Sequence, residues 1–298
     1  MRVGQHTVRG HELLERGDVD GAMNAFLDAL AEDPNDVPAM LSRLEILALH
    51  RENHVGAVAA GRVLRKRGIG GVAMASAFSY SLQALAKHAE ALEVIYEGLR
   101  TAPETETLWY NAACSHMKLG QTAGVAIAIE VATELLPANG PLARADEDFS
   151  SVAAEDWFVR ATEPRGRSSR PATPLRVLLA GETSLAPALE SMGHTVERRT
   201  FEPTTGDSCA ALCAGLLAGD HDRVFVVDDG SDAARWTERE LALQRRMSGE
   251  SPPVALLAPT WISTEHLPSF HAPGDVWGPG ALGMLRFFLG PLASQPPE

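Results

Sequence analysis

Two adjacent carboxylates follow an apolar run in the second half of the chain: Asp228 and Asp229 come directly after residues 224–227, which read Val-Phe-Val-Val. An apolar run that ends in acids is typical of a buried parallel strand, which delivers its carboxylates to the C-terminal edge of a sheet. Carboxylates there can bind a metal ion, accept a phosphoryl group or begin a solvated loop. The surrounding elements must decide among these roles.

A second candidate is the segment 278–283, GPGALG, which has the G-x-G-x-x-G spacing of a dinucleotide-binding turn. That motif opens a unit whose second strand ends in an acid about 20 residues later. Only 15 residues follow Gly283. The pattern therefore favours a glycine-rich turn into a helix, and a nucleotide site is the lesser alternative.

Strand-like and helix-like segments alternate from residue 175 to residue 290. Strands are predicted at 175–181, 194–201, 224–227, 252–259 and 275–277, and helices at 185–193, 208–219, 236–247 and 281–290. This alternation predicts a parallel sheet covered by helices on both faces. Short connections and right-handed crossovers favour the strand order 2-1-3-4-5 of the flavodoxin-like class.

In element order and length, this region resembles the receiver domain of bacterial response regulators. An active receiver has an acidic pair after strand one and a phosphoacceptor aspartate after strand three. It also has a hydroxyl after strand four and a lysine before a proline after strand five. The acids hold Mg²⁺ and the lysine pairs with the phosphoryl group.

Most of these positions depart from the active pattern. Glu182 is the single acid after strand one, Asp228 stands at the acceptor position, Ala258 replaces the hydroxyl and Gly278 replaces the lysine. The resemblance implies a pseudo-receiver with a degenerate phosphoacceptor or metal site made of Asp228, Asp229 and Glu182. A phospho-regulated switch that still uses Asp228 is the alternative.

The first half of the chain repeats with a period of 34 or 35 residues. The small or β-branched residues Ala22, Ala57, Ala91 and Val125 are 35, 34 and 34 residues apart. A larger side chain follows four residues later in three units, whereas the second unit has Gly61 there. Such a period indicates a solenoid of helical hairpins.

These features resemble the tetratricopeptide repeat (TPR), in which each unit is a pair of antiparallel helices. The small residue lets the two helices approach closely, and the larger one fills the space between units. Pro34, Pro103 and Pro137 end three of the units, because proline cannot continue a helix. Repeats are predicted at 3–36, 37–71, 72–105 and 106–139, with one inserted residue near 51–54 and a capping helix up to residue 160.

In this family the first helix of each unit lines a concave groove that binds a peptide or a partner protein. The resemblance places sixteen residues at groove positions, here called the groove: Gly4, Thr7, Val8, His11, Pro38, Leu41, Ser42, Glu45, Ala73, Ser76, Ala77, Tyr80, Thr107, Tyr110, Asn111 and Cys114. Partner contact is assigned to eight of them: His11, Leu41, Glu45, Ser76, Tyr80, Thr107, Tyr110 and Asn111. None is Lys or Arg, which argues against a clamp for a C-terminal carboxylate.

Composition limits the classes of partner. The chain has 298 residues, with 26 Lys and Arg against 39 Asp and Glu and a formal net charge of −13. This balance argues against a nucleic-acid binder, which needs basic residues to neutralise phosphates. No stretch approaches the roughly 20 apolar residues of a membrane helix, and the N-terminus lacks the apolar core of a signal peptide. Cys114, Cys209 and Cys213 are predicted to be buried thiols, so we expect a cytoplasmic protein without membrane insertion.

The predicted architecture is α plus α/β. It has a TPR solenoid over 1–160, a linker rich in Pro, Gly, Ser and Arg over 161–173, and a flavodoxin-like, receiver-like five-stranded domain over 174–298. We find no catalytic motif and predict a non-catalytic adaptor in bacterial-type signalling or assembly, with no cofactor and no metal. Its solenoid is expected to bind one protein, and its pseudo-receiver a second through the last strand and helix. The alternatives are the phospho-regulated switch and a nucleotide- or sugar-nucleotide-binding, transferase-like protein.

Overall fold

The computed structural model describes residues 4–163, 174–202, 205, 207–218, 221–227, 231, 233–234, 237–238, 240–241, 244, 254–258, 269–271 and 277–289. The chain forms two compact units, Met1–Gln121 and Thr122–Glu298, called the N-terminal and C-terminal units below. Among the described helices, none combines the length and apolar character needed to cross a membrane.

The N-terminal unit is a succession of helices joined by short turns. They are α1 Gln5–Glu15, α2 Val19–Glu32, α3 Val37–Glu45, α4 His54–Lys66, α5 Val72–Ala84, α6 His88–Thr101 and α7 Glu106–Lys118. Helices pack in pairs, α1 with α2, α3 with α4 and α5 with α6, and α3 and α7 each also contact α5. The predicted TPR-like helical repeat is therefore confirmed for this unit.

The turn after each first helix, α1, α3, α5 and α7, contains one residue with a positive φ angle. These residues are Gly17 (78°), Glu52 (49°), Ala86 (56°) and Gly120 (70°). They are spaced like the repeat, because each ends a first helix; in the third unit, for example, the Lys87 N–H donates to the Leu82 carbonyl at 2.8 Å. Such a left-handed residue satisfies the last carbonyls of a helix. Only glycine adopts this conformation without steric cost, so Glu52 and Ala86 are strained.

Replacing Ala86 with glycine is expected to raise the free energy of unfolding by about 1 kcal/mol, because the strain of a left-handed alanine is relieved. Urea unfolding of the full chain measures the change. Ala59→Gly is the control, since Ala59 is exposed in the middle of α4 and this change should cost about 0.5–1 kcal/mol. A destabilised Ala86→Gly variant would contradict the expected strain.

The inserted residue of the second repeat forms a π-helical turn, Ile46–His50, that continues α3. The Arg51 N–H donates to the Ile46 carbonyl, five residues back, at 3.0 Å. The Asn53 N–H then reaches the Leu47 carbonyl, six residues back, at 2.8 Å, where the equivalent bond of the third repeat spans five. The insertion predicted near 51–54 is thus absorbed a few residues earlier, because a π-turn accommodates one extra residue without breaking the helix.

Gly61, the exception to the repeat pattern, is explained by its neighbour. A Cβ atom on Gly61 would lie 2.5 Å from Cγ of Phe78, and the Phe78 side chain is fully buried. The ring of Phe78, on α5, fills the space that the large residue of the second helix fills in the other units. The pattern position is small because the large side chain comes from the opposite helix.

The C-terminal unit combines helices with a small parallel sheet. Its helices are α8 Thr122–Leu135, α9 Asn139–Ala145, α10 Asp156–Ala161, α11 Leu185–Ser191, α12 Asp207–Leu217 and the last helix, α13 Pro279–Leu289. The strands are β1 Arg176–Ala180, β2 Thr195–Arg199, β3 Arg223–Val227, β4 Val254–Ala258 and the three-residue β5 Ser269–His271. All pair in parallel, in the order β2-β1-β3-β4-β5.

Both faces of the sheet are covered. Val177, Leu179 and Phe225 point into one core with α11 and α13, and Leu178 and Val224 into another with α12. The strand predicted at 275–277 is not found as such: residues 275–276 lie outside the described residues, and Trp277 is a core residue rather than a strand residue. Among the described strands, β5 lies at the edge of the sheet beside β4.

Helix α8 belongs to the C-terminal unit and is buried on every side. Its residues 124–133 are all buried, and it packs against α9, α10 and α13. The boundary between the two compact units lies after residue 121, inside the fourth predicted repeat. Because α8 covers α13, the last helix is not the free binding face that the sequence suggested.

The segment after α8 also differs in detail from the predicted single capping helix. Two short helices, α9 and α10, are separated by a 3-10 turn, Glu147–Phe149. Thr162 is the C-cap of α10 and is fully buried, and its hydroxyl donates to the Phe158 carbonyl at 3.0 Å. Residues 161–162 of the predicted linker therefore fold with α10, while 164–173 lie outside the described residues.

Candidate functional site

The eight residues assigned to partner contact all lie on α1, α3, α5 and α7, the first helices of their pairs. Four are exposed, namely His11, Glu45, Tyr80 and Thr107, and four are half-buried, namely Leu41, Ser76, Tyr110 and Asn111. None is buried in the helix packing. These side chains form an accessible surface on the N-terminal unit.

Three other groove positions are buried, and the prediction of an accessible surface is wrong for them. Thr7, Ser42 and Ala77 lie in the helix packing. The Thr7 hydroxyl donates to Asp36 Oδ2 at 2.5 Å, and Asp36 in turn caps α3 by accepting from the Ala39 N–H at 3.0 Å. Thr7 therefore joins the first repeat to the second and is not available to a partner.

Gln83 joins α5 to α7 and was not singled out in the sequence. Its Nε2 donates to the Asn111 carbonyl at 2.6 Å and to Ser115 Oγ at 2.8 Å. These bonds hold the first helices of two consecutive units side by side. The only signal in the sequence was a glutamine in a helix that contains no charged residue.

Tyr80 is the exposed aromatic residue of α5. Its side chain is 42% exposed, and its ring packs edge-on against His54 with the ring centroids 5.6 Å apart. His54 is the first residue of α4, and three residues separate it from the end of the π-turn. The contact holds the Tyr80 ring at the surface beside the π-turn.

A partly buried hydrogen-bond chain lies at the end of the N-terminal unit. Tyr96 Oη lies 2.6 Å from His116 Nε2, and His116 Nδ1 lies 2.6 Å from Gln121 Oε1. With Nδ1–H donating to the glutamine, Nε2 accepts from the tyrosine, so the imidazole is neutral. Burial lowers the pKa of His116 and raises the pKa of Tyr96.

This chain is expected to make the N-terminal unit sensitive to mild acid. The pKa of His116 is below its usual 6.5 in the folded state, so the unfolded state binds a proton first as the pH falls. The stabilising contribution of the neutral His116 is therefore fully present above pH 6.5. Below that pH it is lost, and the free energy of unfolding falls by up to about 1.4 kcal/mol per pH unit until the folded pKa is reached. Urea unfolding of His116→Gln should show a weaker slope than the wild type, whereas His50→Gln, at an exposed site, should leave the slope unchanged. An identical slope for His116→Gln would contradict this role.

The predicted strand-edge site is described only in part. Asp228 and Asp229 lie outside the described residues, and Glu182 is exposed. Gly181, which precedes Glu182, has φ 106°, and a Cβ there would lie 2.7 Å from Cβ of Val227. The loop after β1 thus presses against the end of β3, which brings it to the same edge of the sheet.

Two of the three cysteines are buried, as predicted, and the prediction is wrong for Cys114. Cys209 and Cys213 are buried on α12 with their Sγ atoms 3.9 Å apart, and burial raises the pKa of Cys213. Cys114 is half-buried. Within the described parts of the chain, no group of three or more His, Cys, Asp or Glu residues is placed to hold a metal ion.

The sequence matches no protein-family model and no curated protein. Among solved structures, the chain is similar to a thermophilic TPR protein from Thermus thermophilus, with a TM-score of 0.42 and 21% identity over 53% of this chain and 86% of that one. It is also similar to a mutant of the O-GlcNAc transferase of Thermobaculum terrenum, with a TM-score of 0.33 and 15% identity over 85% of this chain. The match covers 49% of that transferase.

Proposed function

We propose that this protein is a non-catalytic adaptor whose groove binds a segment of a partner protein. The observation that carries the proposal is the accessibility of the eight assigned side chains, all of which the helix packing leaves exposed or half-buried. The contacts between helices use other residues, such as Thr7 and Gln83. The helices hold these side chains in fixed positions and leave them accessible, so the surface can bind a partner protein.

The side-chain chemistry of this surface supports a protein ligand. Tyr80 and Tyr110 combine a large apolar ring with a hydroxyl group, which makes tyrosine one of the residues that dominate binding energy at interfaces. Ser76, Thr107 and Asn111 offer hydrogen-bond donors and acceptors that a peptide backbone can use. Rigid helices hold these groups in fixed positions, which lowers the entropic cost of binding.

Photo-crosslinking tests the groove directly. A benzophenone amino acid placed at Tyr110 in the full chain is expected to give a discrete cross-linked product in the host cell. The same amino acid at Val63, which is 47% exposed on α4, is the control on a second helix. Products of equal yield from the two positions, or none from Tyr110, would overturn the proposed groove.

For the C-terminal unit we propose a receiver-like, flavodoxin-like fold that binds a second protein without being phosphorylated. The strand order β2-β1-β3-β4-β5 in a parallel sheet supports this class. Gly278 precedes Pro279 at the start of α13, so the cation expected there is absent from the sequence. We therefore expect any partner to bind away from α13, which is covered by α8.

Beryllofluoride with Mg²⁺, which mimics a phosphoryl group on an acceptor aspartate, separates this proposal from the phospho-regulated switch. We expect the amide NMR spectrum of the full chain to be unchanged on addition. Asp228→Asn is the matched variant. Shifts around Glu182 and Val227 that disappear in Asp228→Asn would support the switch and overturn the pseudo-receiver.

A further inference from the structure

The groove carries almost no charge. Of its sixteen positions, Glu45 is the single formally charged residue, and α5, which runs from Val72 to Ala84, has no Asp, Glu, Lys or Arg at all. Glu45 is exposed, and no ion pair joins it to another described residue. A ligand with many charges would lose their hydration on this surface and gain one ion pair at most.

The π-turn exposes an apolar side chain and packs against α5, the helix that carries Tyr80. Ile46, Leu47 and Ala48 are buried, whereas Leu49 is 52% exposed. The turn packs against α5, and the Tyr80 ring touches His54, four residues after the turn ends. Leu49, His54 and Tyr80 are called the notch below: an exposed aliphatic and an exposed aromatic side chain on two segments that pack against each other. A π-turn is an uncommon device that is frequent at functional sites, where it redirects side chains.

We infer that the occupant of the groove is a peptide segment with one apolar side chain for the notch and one Lys or Arg for Glu45, and with no other charge. This inference rests on the proposed function and names its ligand class. The argument is charge complementarity: an acidic segment would meet Glu45 and no cation in the groove. A purely apolar segment would leave that carboxylate without a partner.

The spacing of the two contacts sets the spacing in the ligand. Glu45 and Leu49 are four residues apart where α3 continues into the π-turn, and we expect their side chains to emerge on the order of 6 Å from one another, as in a regular α-helix. An extended peptide advances about 3.3 Å per residue and directs alternate side chains to the same face. The apolar and basic residues of the ligand are therefore expected to be two positions apart.

A random dodecapeptide library displayed on phage, selected against the full chain, tests this inference. The expected consensus pairs a Leu, Ile, Phe or Met with a Lys or Arg two positions away, in either order. The affinity of the selected peptide is then measured by fluorescence anisotropy. Tyr80→Ser and Leu49→Ser should each weaken it by about tenfold, and Glu45→Gln should weaken it in low salt and have less effect in high salt.

Two exposed residues outside the groove serve as controls. Val63→Ser on α4 and Glu12→Gln on α1 remove an aliphatic side chain and a carboxylate that are likewise exposed, and both should leave the affinity unchanged. Every substituted side chain is exposed, so the variants are expected to fold, which circular dichroism verifies.

The outcomes separate the ligand class from the groove itself. A consensus that is acidic or uncharged, but whose binding depends on Tyr80, overturns the inferred ligand and leaves the groove function in place. If none of the groove substitutions changes the affinity of the selected peptides, both the inferred ligand class and the groove function are overturned. If the library yields no peptide that prefers this protein to an unrelated one, the ligand class is overturned and photo-crosslinking decides the groove function separately.

Discussion

Replacing Arg286 with methionine is expected to lower the free energy of unfolding of the C-terminal unit by about 3–5 kcal/mol. Arg286 of α13 is 5% exposed. Its Nη1 lies 3.4 Å from Oε2 of Glu130 and its Nη2 lies 3.8 Å from Oε1 of Glu134, both on α8. Removing the cation takes from the Glu130 carboxylate, which is 1% exposed, the positive charge that offsets part of its desolvation.

Urea unfolding monitored by tryptophan fluorescence measures the effect, because four of the five tryptophans lie in the C-terminal unit. Arg198→Met is the matched control: Arg198 pairs with Glu190 at 3.5 Å with both side chains more than half exposed, so its loss should cost less than about 1 kcal/mol. The double variant Arg286→Met/Glu130→Met should recover part of the loss, because the most buried carboxylate is removed together with the cation. Equal stability of Arg286→Met and Arg198→Met would show that the buried pair contributes nothing.

The same pair joins α13 to α8, the first helix of the C-terminal unit. A fragment that starts at residue 174 lacks α8 and exposes the face of α13 that carries Arg286. We therefore expect a fragment 122–298 to be folded and a fragment 174–298 to lack cooperative unfolding. A fragment 174–298 that unfolds cooperatively would show that the sheet and its helices fold without α8.

Replacing Gly61 with alanine is expected to destabilise the N-terminal unit by about 1–3 kcal/mol, although alanine is the better helix former. A Cβ atom at this position would approach the Phe78 ring to 2.5–2.8 Å. Neither α4 nor α5 can yield easily, because Ala57 and Leu64 of α4 and Leu82 of α5 are all buried. The expected sign is opposite to that of an exposed helical glycine.

Phe78→Leu provides the test of mechanism. If the clash with the ring is the cause, Gly61→Ala should cost less in the Phe78→Leu background than in the wild type, which a double-mutant cycle detects. Gly215→Ala on α12 is the control, since no atom lies within 4 Å of its Cβ position and the change should stabilise by about 0.5–1 kcal/mol. Additive effects of Gly61→Ala and Phe78→Leu would exclude the ring as the obstacle.

Part of the candidate site could be predicted from sequence because the repeat carries it. Once the period was placed, the position of each first helix followed, and all eight residues assigned to partner contact have accessible side chains. The burial of Thr7 could not be predicted, because it depends on Asp36, which comes from the next repeat. The notch could not be predicted either, because the sequence shows the π-turn that exposes Leu49 only as one inserted residue.

The sequence by itself determined the features that depend on near neighbours. The apolar strands are set by residues close together in the sequence, and the repeat is set by small residues that recur every 34 or 35 positions, so both can be read along the chain. Tertiary structure decided which elements share a core. Helix α8 is apolar apart from Glu130, Glu134 and two threonines, and its partner α13 lies more than 140 residues later in the chain. Hydrophobic burial is non-directional, so the sequence of α8 could not specify its partner, and the division of the chain at residue 121 followed from that packing alone.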